Sequence, residues 1–381
     1  MLYREIGTTG VRASILGFGC MRLPILGKPQ DIDREAAAQM LHYAIDHGVN
    51  YVDTAYFYHA EQFGMAGASE PFVGEALSGG WRDKVSLATK LPLGLVKTRD
   101  DMDRFLDEQL TRLRTDHIDF YLLHGMSFKS WERIRDLGVI EFLEGARAEG
   151  LIRFPAFSFH GPAEDFPRII DAWDGWAFSQ IQYNYMDTEF QAGYAGLRYA
   201  ADRGVGVVVM EPLKGGKLAG SLPLGVQEVL DRAPQPRTPV DSALRFVWNE
   251  PGVSLLLSGM TTLEQVVQNV ALADSGSADS LTEVEIAIYA QARAALQERT
   301  KCDCTACRYC MPCASGVDIP GVLAALNNAA MWDDANAWMT GYAVTQGKAS
   351  NCTECGACED VCPQGLLVRD LMKEAVAVFG E

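Results

Sequence analysis

Cysteine is almost missing from the first 300 residues of this 381-residue chain: Cys20 stands alone there, and the other nine of ten fall between Cys302 and Cys362. A disulfide framework for the main body is thereby excluded. No run approaches the ~20 apolar residues needed to cross a bilayer. The start, MLYREIGTTG, has no apolar stretch behind a basic patch, so nothing there reads as a signal peptide. Cations are also short, with 33 Lys and Arg against 50 Asp and Glu and a net charge of −17. Nucleic acid and anionic membrane both select for Lys/Arg clusters, so neither is an expected partner, and a cytoplasmic location is expected. Glycine-rich phosphate loops are missing too. GFGCMR after the first predicted strand is not G-x-G-x-x-G, and no G-x-x-x-x-G-K-[ST] occurs. Hydrophobic residues nonetheless make up 48%, which excludes a disordered chain.

What is present is a regular alternation of two hydrophobic periods. Short apolar runs predict strands near 14–19, 50–54, 85–90, 118–123, 152–158, 178–183, 205–210 and 253–257. Segments of helical spacing lie between them, near 33–47, 69–78, 99–114, 130–149, 163–173, 191–203, 239–250 and 262–272, with one more at 282–299. Eight strand-then-helix units favour a closed barrel over a doubly wound open sheet. The expected class is α/β: a (β/α)8 TIM barrel over residues 1–299, then a small, mainly helical, cysteine-rich domain over 300–381.

The tail is too short and too poor in large apolar residues to fold by burial alone, so a bound group must hold it together. Cys352, Cys355, Cys358 and Cys362 are spaced C-x2-C-x2-C-x3-C before Pro363, the bacterial ferredoxin run for a [4Fe–4S] cluster. Cys304, Cys307, Cys310 and Cys313 form a second run, with a last gap one residue shorter. In such pairs the fourth Cys of a run ligates the other cluster. Two clusters are therefore expected, one on Cys304, Cys307, Cys310 and Cys362, the other on Cys352, Cys355, Cys358 and Cys313. Zinc is the alternative, but a zinc knuckle has no need of three successive C-x2-C steps. Cys302 receives no role, and Cys20 reads as a small buried apolar residue. Met331, Trp332 and Trp338 are candidates for packing the tail against the barrel. His160, just after the fifth strand, is placed to reach the pocket or, as the favoured reading, to serve as a surface or capping residue.

These segments resemble the aldo/keto reductase family. The resemblance is carried by YREIGTTGVRASILGFGCMRL at the start, YVDTAYFY, LATK, LLHG, QIQYNY, MEPLKGG and SGMTTLEQVVQN, in the family's order over about residues 1–298. CRYCMPCASGVDIP and CTECGACEDVCPQGL resemble a subgroup with a ferredoxin-like extension. The resemblance implies a catalytic tetrad of Asp53, Tyr58, Lys90 and His124. Hydride would pass from a nicotinamide to a carbonyl carbon of a small-molecule substrate while Tyr58 protonates the oxygen. A phenol near pKa 10 is a poor acid at neutral pH, and the Lys90 ammonium is expected to lower that value. Asp53 would hold Lys90 charged, and His124 would orient the carbonyl.

The resemblance further implies NADP or NAD as cofactor, NADP by family habit. Ser158 and Gln180 match the nicotinamide contacts, with Phe159 in place of the usual Asn and Met210 where an aromatic often stacks. Leu213, Lys214, Gly215 and Gly216 would form the loop over the pyrophosphate, with backbone N–H groups and one cation. Gly259, Met260 and Thr261 would open the last barrel helix toward the adenosine phosphate. Asn269 matches the adenine contact, and Gln265 stands where an Arg often meets the 2′-phosphate. Nicotinamide moves electron pairs and each cluster single electrons, so a flavin would couple them. No flavin motif is present, although a barrel can bind FMN without one. Three readings follow: a carbonyl reductase whose clusters relay electrons to a ferredoxin or other redox protein, a reductase whose clusters only brace the tail, or a redox-sensing module with little turnover.

Overall fold

A computed structural model describes residues 1–380 except 63, 221, 305, 307, 335–338, 340, 341, 344 and 346, so Cys307 and Trp338 lie outside the described residues. The chain forms two compact units, one of residues 1–219 and 237–282, the other of 220–236 and 283–381. Among the described residues no helix is long and apolar enough to cross a membrane.

The first unit opens with an antiparallel hairpin, β1 (Tyr3–Glu5) and β2 (Arg12–Ser14). Eight parallel strands follow: β3 (Leu16–Gly19), β4 (Tyr51–Asp53), β5 (Ser86–Leu91), β6 (Ile118–Met126), β7 (Ile152–Phe159), β8 (Phe178–Gln182), β9 (Gly206–Met210) and β10 (Leu255–Ser258). They pair in chain order, and β10 pairs with both β9 and β3, which closes the barrel. Every expected strand is present. The helices depart from expectation in three places. The stretch near 130–149 is two helices, Phe128–Asp136 and Val139–Ala148, broken at Gly138, whose φ of +82° suits glycine. The stretch near 163–173 contributes only Phe166–Ile170 as α-helix. Leu224–Leu230 forms a helix that is too short for its periodicity to stand out, and it packs on Glu283–Gln297 in the second unit.

Side-chain alternation along the strands explains where chemistry can sit. Tyr51, Ala88, Phe120, Leu122, Ala156, Phe178, Val208, Leu255 and Leu257 form a buried cluster inside the barrel, joined by Ile6 and Ala13 of the hairpin. Their neighbours Val52, Leu87, Tyr121, Leu123, Phe157, Ile181, Val207, Val209 and Leu256 belong to a second cluster that includes helix residues. Two residues beyond the interior layer, the inward positions become Asp53, Lys90, His124, Ser158, Gln180 and Met210. The apolar layer thus ends at the C-terminal side of the strands, where barrels carry their sites.

In the second unit, helices Ile319–Trp332 and Val368–Phe379 pack together around Val322, Leu326, Met372 and Phe379. Tyr342 stacks on Phe379 with ring centroids 4.2 Å apart. Met331 and Trp332 are buried. Cys304, Cys310, Cys313, Cys352 and Cys358 pack at the margin of this small cluster.

Candidate functional site

The deepest polar group at the barrel mouth is the Lys90 ammonium. It donates to Asp53 Oδ1 at 2.7 Å and Oδ2 at 2.8 Å, to the Thr54 carbonyl at 2.8 Å and to the Tyr58 hydroxyl at 3.2 Å. Burial works against the Lys90 charge, but Asp53 and Tyr58 outweigh it, and its pKa lies above the ordinary lysine value. Burial likewise lifts Asp53 against the pull of Lys90. With both carboxylate oxygens on the ammonium, the pair is retained as ions because each satisfies the other.

Tyr58 stands on the loop after β4, and its ring meets His124 edge-on at 6.1 Å. Its oxygen accepts from Lys90, which leaves its own proton free to donate toward the cavity. The expectation that Lys90 makes this phenol unusually acidic is corrected here. Burial is the larger influence, so the Tyr58 pKa lies above its ordinary value although Lys90 pulls it down. Burial, reinforced by Lys90 and His160, pushes His124 down to about 3, so its imidazole is neutral at neutral pH. Its buried Nδ1 has no hydrogen-bond partner. Cys20, beneath these groups, is fully buried as expected, and burial pushes its thiol up.

A cavity of about 530 Å³ opens above this floor, within the ~300–1,000 Å³ usual for small-molecule sites. It is lined by Asp53, Tyr58, Lys90, His124, Ser158, Gln180, Met210, Leu213, Gly215, Gly216, Gly259, Met260, Thr261, Gln265 and Asn269. Lys214 does not line it; its ammonium lies 2.8 Å from both oxygens of Asp187. Ser158 Oγ accepts the Gly125 N–H at 2.8 Å. Gln180 donates only a long contact to Met210 Sδ at 3.8 Å, and its buried Oε1 has no partner. Gln265 Oε1 accepts the Thr261 N–H at 2.8 Å, and the last barrel helix begins at Leu263 with Thr262 as its cap. Asn269 donates to Ser258 Oγ at 3.0 Å.

Arg22 and Glu211 are among the lining residues to which the sequence reading gave no role. Arg22 follows β3, its stem lying over Gly259, where a Cβ would come within 3.1 Å of it, and its guanidinium lies 3.7 Å from Glu211. The position of a basic residue just past the first strand was the available signal. His160 is exposed and also lines the cavity, which it reaches because β7 runs on to Phe159. The residues fit a dinucleotide: a hydrogen-bonding floor of Tyr58 and His124 over the Lys90–Asp53 pair, an orphaned amide oxygen in the wall, and an exposed guanidinium beside two glycines.

The second unit gathers the thiols. Cys313, Cys352, Cys355 and Cys358 line one cavity of about 240 Å³, which Cys310 also touches. Cys304, Cys310 and Cys362 line a narrower one of about 20 Å³, which Cys358 also touches. Among the described residues, no three Cys, His, Asp or Glu side chains are close enough to hold one metal ion. Four cysteine thiols around one cavity are the donor set that a four-iron cluster takes. Cys302 is tied instead to Asn327, which accepts its N–H at 3.0 Å and donates to its carbonyl at 2.8 Å.

An eight-stranded α/β barrel whose buried charged cluster lines a cavity at the C-terminal ends of its strands places the protein among the α/β-barrel enzymes. Comparison with known proteins sharpens the class. The model of the aldo/keto reductase family matches residues 15–223, and that of a 4Fe-4S dicluster domain matches residues 303–367. The chain belongs to the aldo/keto reductase family, and it is an oxidoreductase that carries a 4Fe-4S domain. An uncharacterized oxidoreductase of Bacillus subtilis, YqkF, is 26% identical over 80% of this chain and 98% of its own. Another from the same organism, YrpG, is 29% identical over 58% of this chain and 69% of its own. Among solved structures, the holo form of the aldo-keto reductase AKR11C1 from Bacillus halodurans matches with a TM-score of 0.62 at 26% identity. That match covers 77% of this chain and 96% of the other.

Proposed function

We propose that the barrel, within a domain of residues 1–299, catalyses NAD(P)H-dependent reduction of a small-molecule carbonyl, or the reverse oxidation of the alcohol. Asp53, Tyr58, Lys90 and His124 act together in this reading. The observation that carries it is the Lys90 ammonium shared between Asp53 and the Tyr58 oxygen beside a neutral His124. When bound, the nicotinamide supplies a hydride to the carbonyl carbon. Tyr58 gives its proton to the carbonyl oxygen. A phenol held protonated by burial is in the right state for that step, and the adjacent Lys90 charge stabilises the phenolate left behind. Asp53 keeps Lys90 charged and fixed. Neutral His124 presents its other ring nitrogen to the same carbonyl oxygen as a hydrogen-bond donor.

Ser158, Gln180, Met210 and Asn269 would border the dinucleotide, with Arg22 and the backbone of Leu213, Gly215, Gly216, Gly259, Met260 and Thr261 near its phosphates. Gln265 stands closest to the question of NAD or NADP. In the tail, residues 300–381, we assign two [4Fe–4S] clusters. Cys313, Cys352, Cys355 and Cys358 hold one; Cys304, Cys307, Cys310 and Cys362 hold the other. The first set lines a single cavity, and that cavity shares Cys310 and Cys358 with its neighbour, an arrangement suited to passing single electrons to a partner such as a ferredoxin.

Tyr58→Phe is the decisive test. Loss of a general acid is expected to lower kcat by about 10²–10⁴-fold in NADPH-linked aldehyde reduction, with cofactor affinity retained. Wild-type turnover in this variant would end the catalytic assignment. Anaerobic purification with iron, sulfide and flavin analysis tests the tail: eight irons per chain are expected from two [4Fe–4S] clusters, about four apiece. Bound FMN in the same sample would supply the coupling between electron pairs and single electrons.

A further inference from the structure

Glu70 is a carboxylate with no solvent exposure, and it does not line the cavity. It sits in the first turn of helix Ser69–Ala76. Its Oε1 accepts from Thr89 Oγ1 at 2.7 Å and from Gln109 Nε2 at 2.6 Å, and its Oε2 accepts from Arg112 Nε at 2.9 Å. A buried anion is costly unless its lone pairs are filled, and here three donors, one of them a cation, converge on it. Such an arrangement requires that several elements be held at fixed distances.

From Glu70 one route runs to Lys90. Gln109, held by Glu70, also donates to the Lys90 carbonyl at 3.0 Å, and its Oε1 accepts from Tyr121 at 2.8 Å. Thr89, the residue before Lys90, is bonded to Glu70 directly. The end of β5 is thereby pinned from the side opposite its ammonium.

A second route runs to Tyr58. The Arg112 guanidinium, held by Glu70, also donates to the Gly67 carbonyl. Gly67 donates to the Tyr56 carbonyl at 2.7 Å and lies so close to Tyr58 that a Cβ would fall 1.9 Å from its carbonyl oxygen. Ser69 donates its N–H to that same oxygen at 3.2 Å, and its hydroxyl lies 2.8 Å from that of Thr54. The loop that carries Tyr58 is irregular, so these contacts, rather than a strand ladder, fix its backbone.

We propose that Glu70 is a positioning residue: one buried carboxylate ties the Lys90 strand end to the Tyr58 loop and so sets the phenol–ammonium distance that proton donation requires. It acts through Arg112 and Gly67 on one side and through Thr89 and Gln109 on the other. Small errors in the placement of reacting groups are expensive, since about 1 Å can cost a hundredfold in rate.

The inference rests on the reading of Tyr58 as the proton donor, which Tyr58→Phe tests separately. The full chain, purified anaerobically, is assayed with NADPH and 4-nitrobenzaldehyde. Glu70→Gln keeps the side-chain shape but removes the charge that holds Arg112. Its kcat is expected to fall about tenfold or more, with NADPH affinity unchanged. The solvent deuterium isotope effect on kcat should rise, because proton donation becomes slower than the other steps. Arg112→Lys keeps a cation beside Glu70 but not the reach to Gly67, and should move both readouts the same way by less. The double variant should be no slower than Glu70→Gln, as expected when two residues act through one network. Wild-type kcat in folded Glu70→Gln overturns the proposal. So does a lower kcat with an unchanged isotope effect, which would reduce Glu70 to structural support. If Glu70→Gln does not fold, Arg112→Lys decides by the same two readouts. An inactive Tyr58→Phe beside an unaffected Glu70→Gln sinks only this inference; an active Tyr58→Phe sinks the reading beneath it.

Discussion

At the barrel mouth, Lys90 has four acceptor atoms within 3.2 Å and no solvent exposure. In the tail, Cys355 is exposed, the other described cluster cysteines are half-buried, and they border two cavities. The two regions build sites by opposite means. The barrel spends apolar burial to hold a charged cluster in place before anything binds. The tail has a small apolar cluster around Val322, Leu326 and Phe379, and its cysteines are a donor set for a bound group. A site of the first kind is as stable as its scaffold. In a site of the second kind, ligand binding is part of the folding free energy.

The largest way to break this contrast is to remove iron. Chelation under anaerobic, reducing conditions, or Cys355→Ala combined with Cys358→Ala, should unfold the region around the cysteines while the barrel keeps its structure. Limited proteolysis would then cut within residues 300–381 and spare the rest. Cleavage of both regions alike would mean that the tail is not the ligand-dependent part.

A smaller but sharper effect is expected from Asp53→Ala. It leaves the Lys90 charge buried and uncompensated, a change that costs about 3–5 kcal/mol. Chemical denaturation followed by tryptophan fluorescence should register this loss in the barrel, while the visible absorbance of the clusters stays intact. An unchanged barrel midpoint would show that the ion pair does not hold the site.

Acid offers a third comparison. His124 falls from 6.5 to about 3 because it is buried, so between those values the unfolded chain binds the extra proton. Stability therefore rises with pH across this window and is lost as pH falls. From neutrality to about pH 5 the loss attributable to His124 is about 2 kcal/mol, at 1.36 kcal/mol per pKa unit. In His124→Leu that part of the acid sensitivity should disappear. If the wild type and the variant lose stability in parallel, His124 is not buried in its neutral form.

Much of the barrel was legible because burial leaves a period in the chain. All eight strands could be located from their apolar runs, and Asp53, Lys90 and His124 could be read as strand-end residues. Tyr58 could be read only through its resemblance to a known motif, since a loop residue belongs to no period. Arg22 and Glu211 escaped for the same reason: they reach the cavity from loops whose paths depend on tertiary packing. Lys214 was read as the cation of a pyrophosphate loop, but the structure holds its ammonium on Asp187 at 2.8 Å, a pairing that follows from the fold and not from local spacing. The sign of the Tyr58 shift was also out of reach, because it turns on the balance between burial and the Lys90 charge. In the tail the cysteine spacing spoke plainly, since a cluster fixes the covalent distance between its ligands more strictly than any core fixes its side chains.

The smallest effect concerns Gln180, which like His124 leaves a buried polar atom in the barrel without a partner. Its Oε1 is buried without a partner, and its amide nitrogen has only the Met210 sulfur at 3.8 Å. An orphaned acceptor in a cavity wall costs free energy in the resting protein and regains it when a donor arrives, so it favours a ligand that brings an N–H group. The carboxamide of a nicotinamide carries such a group. Gln180→Leu removes the acceptor and fills similar volume. It should weaken dinucleotide binding by about 1 kcal/mol, roughly fivefold in Kd, while leaving the resting barrel as stable as before or slightly more so. Fluorescence titration with NADPH, beside a denaturation curve of the unliganded protein, measures both quantities. Weaker binding accompanied by an equal loss of stability would mean that Gln180 supports the wall rather than the ligand.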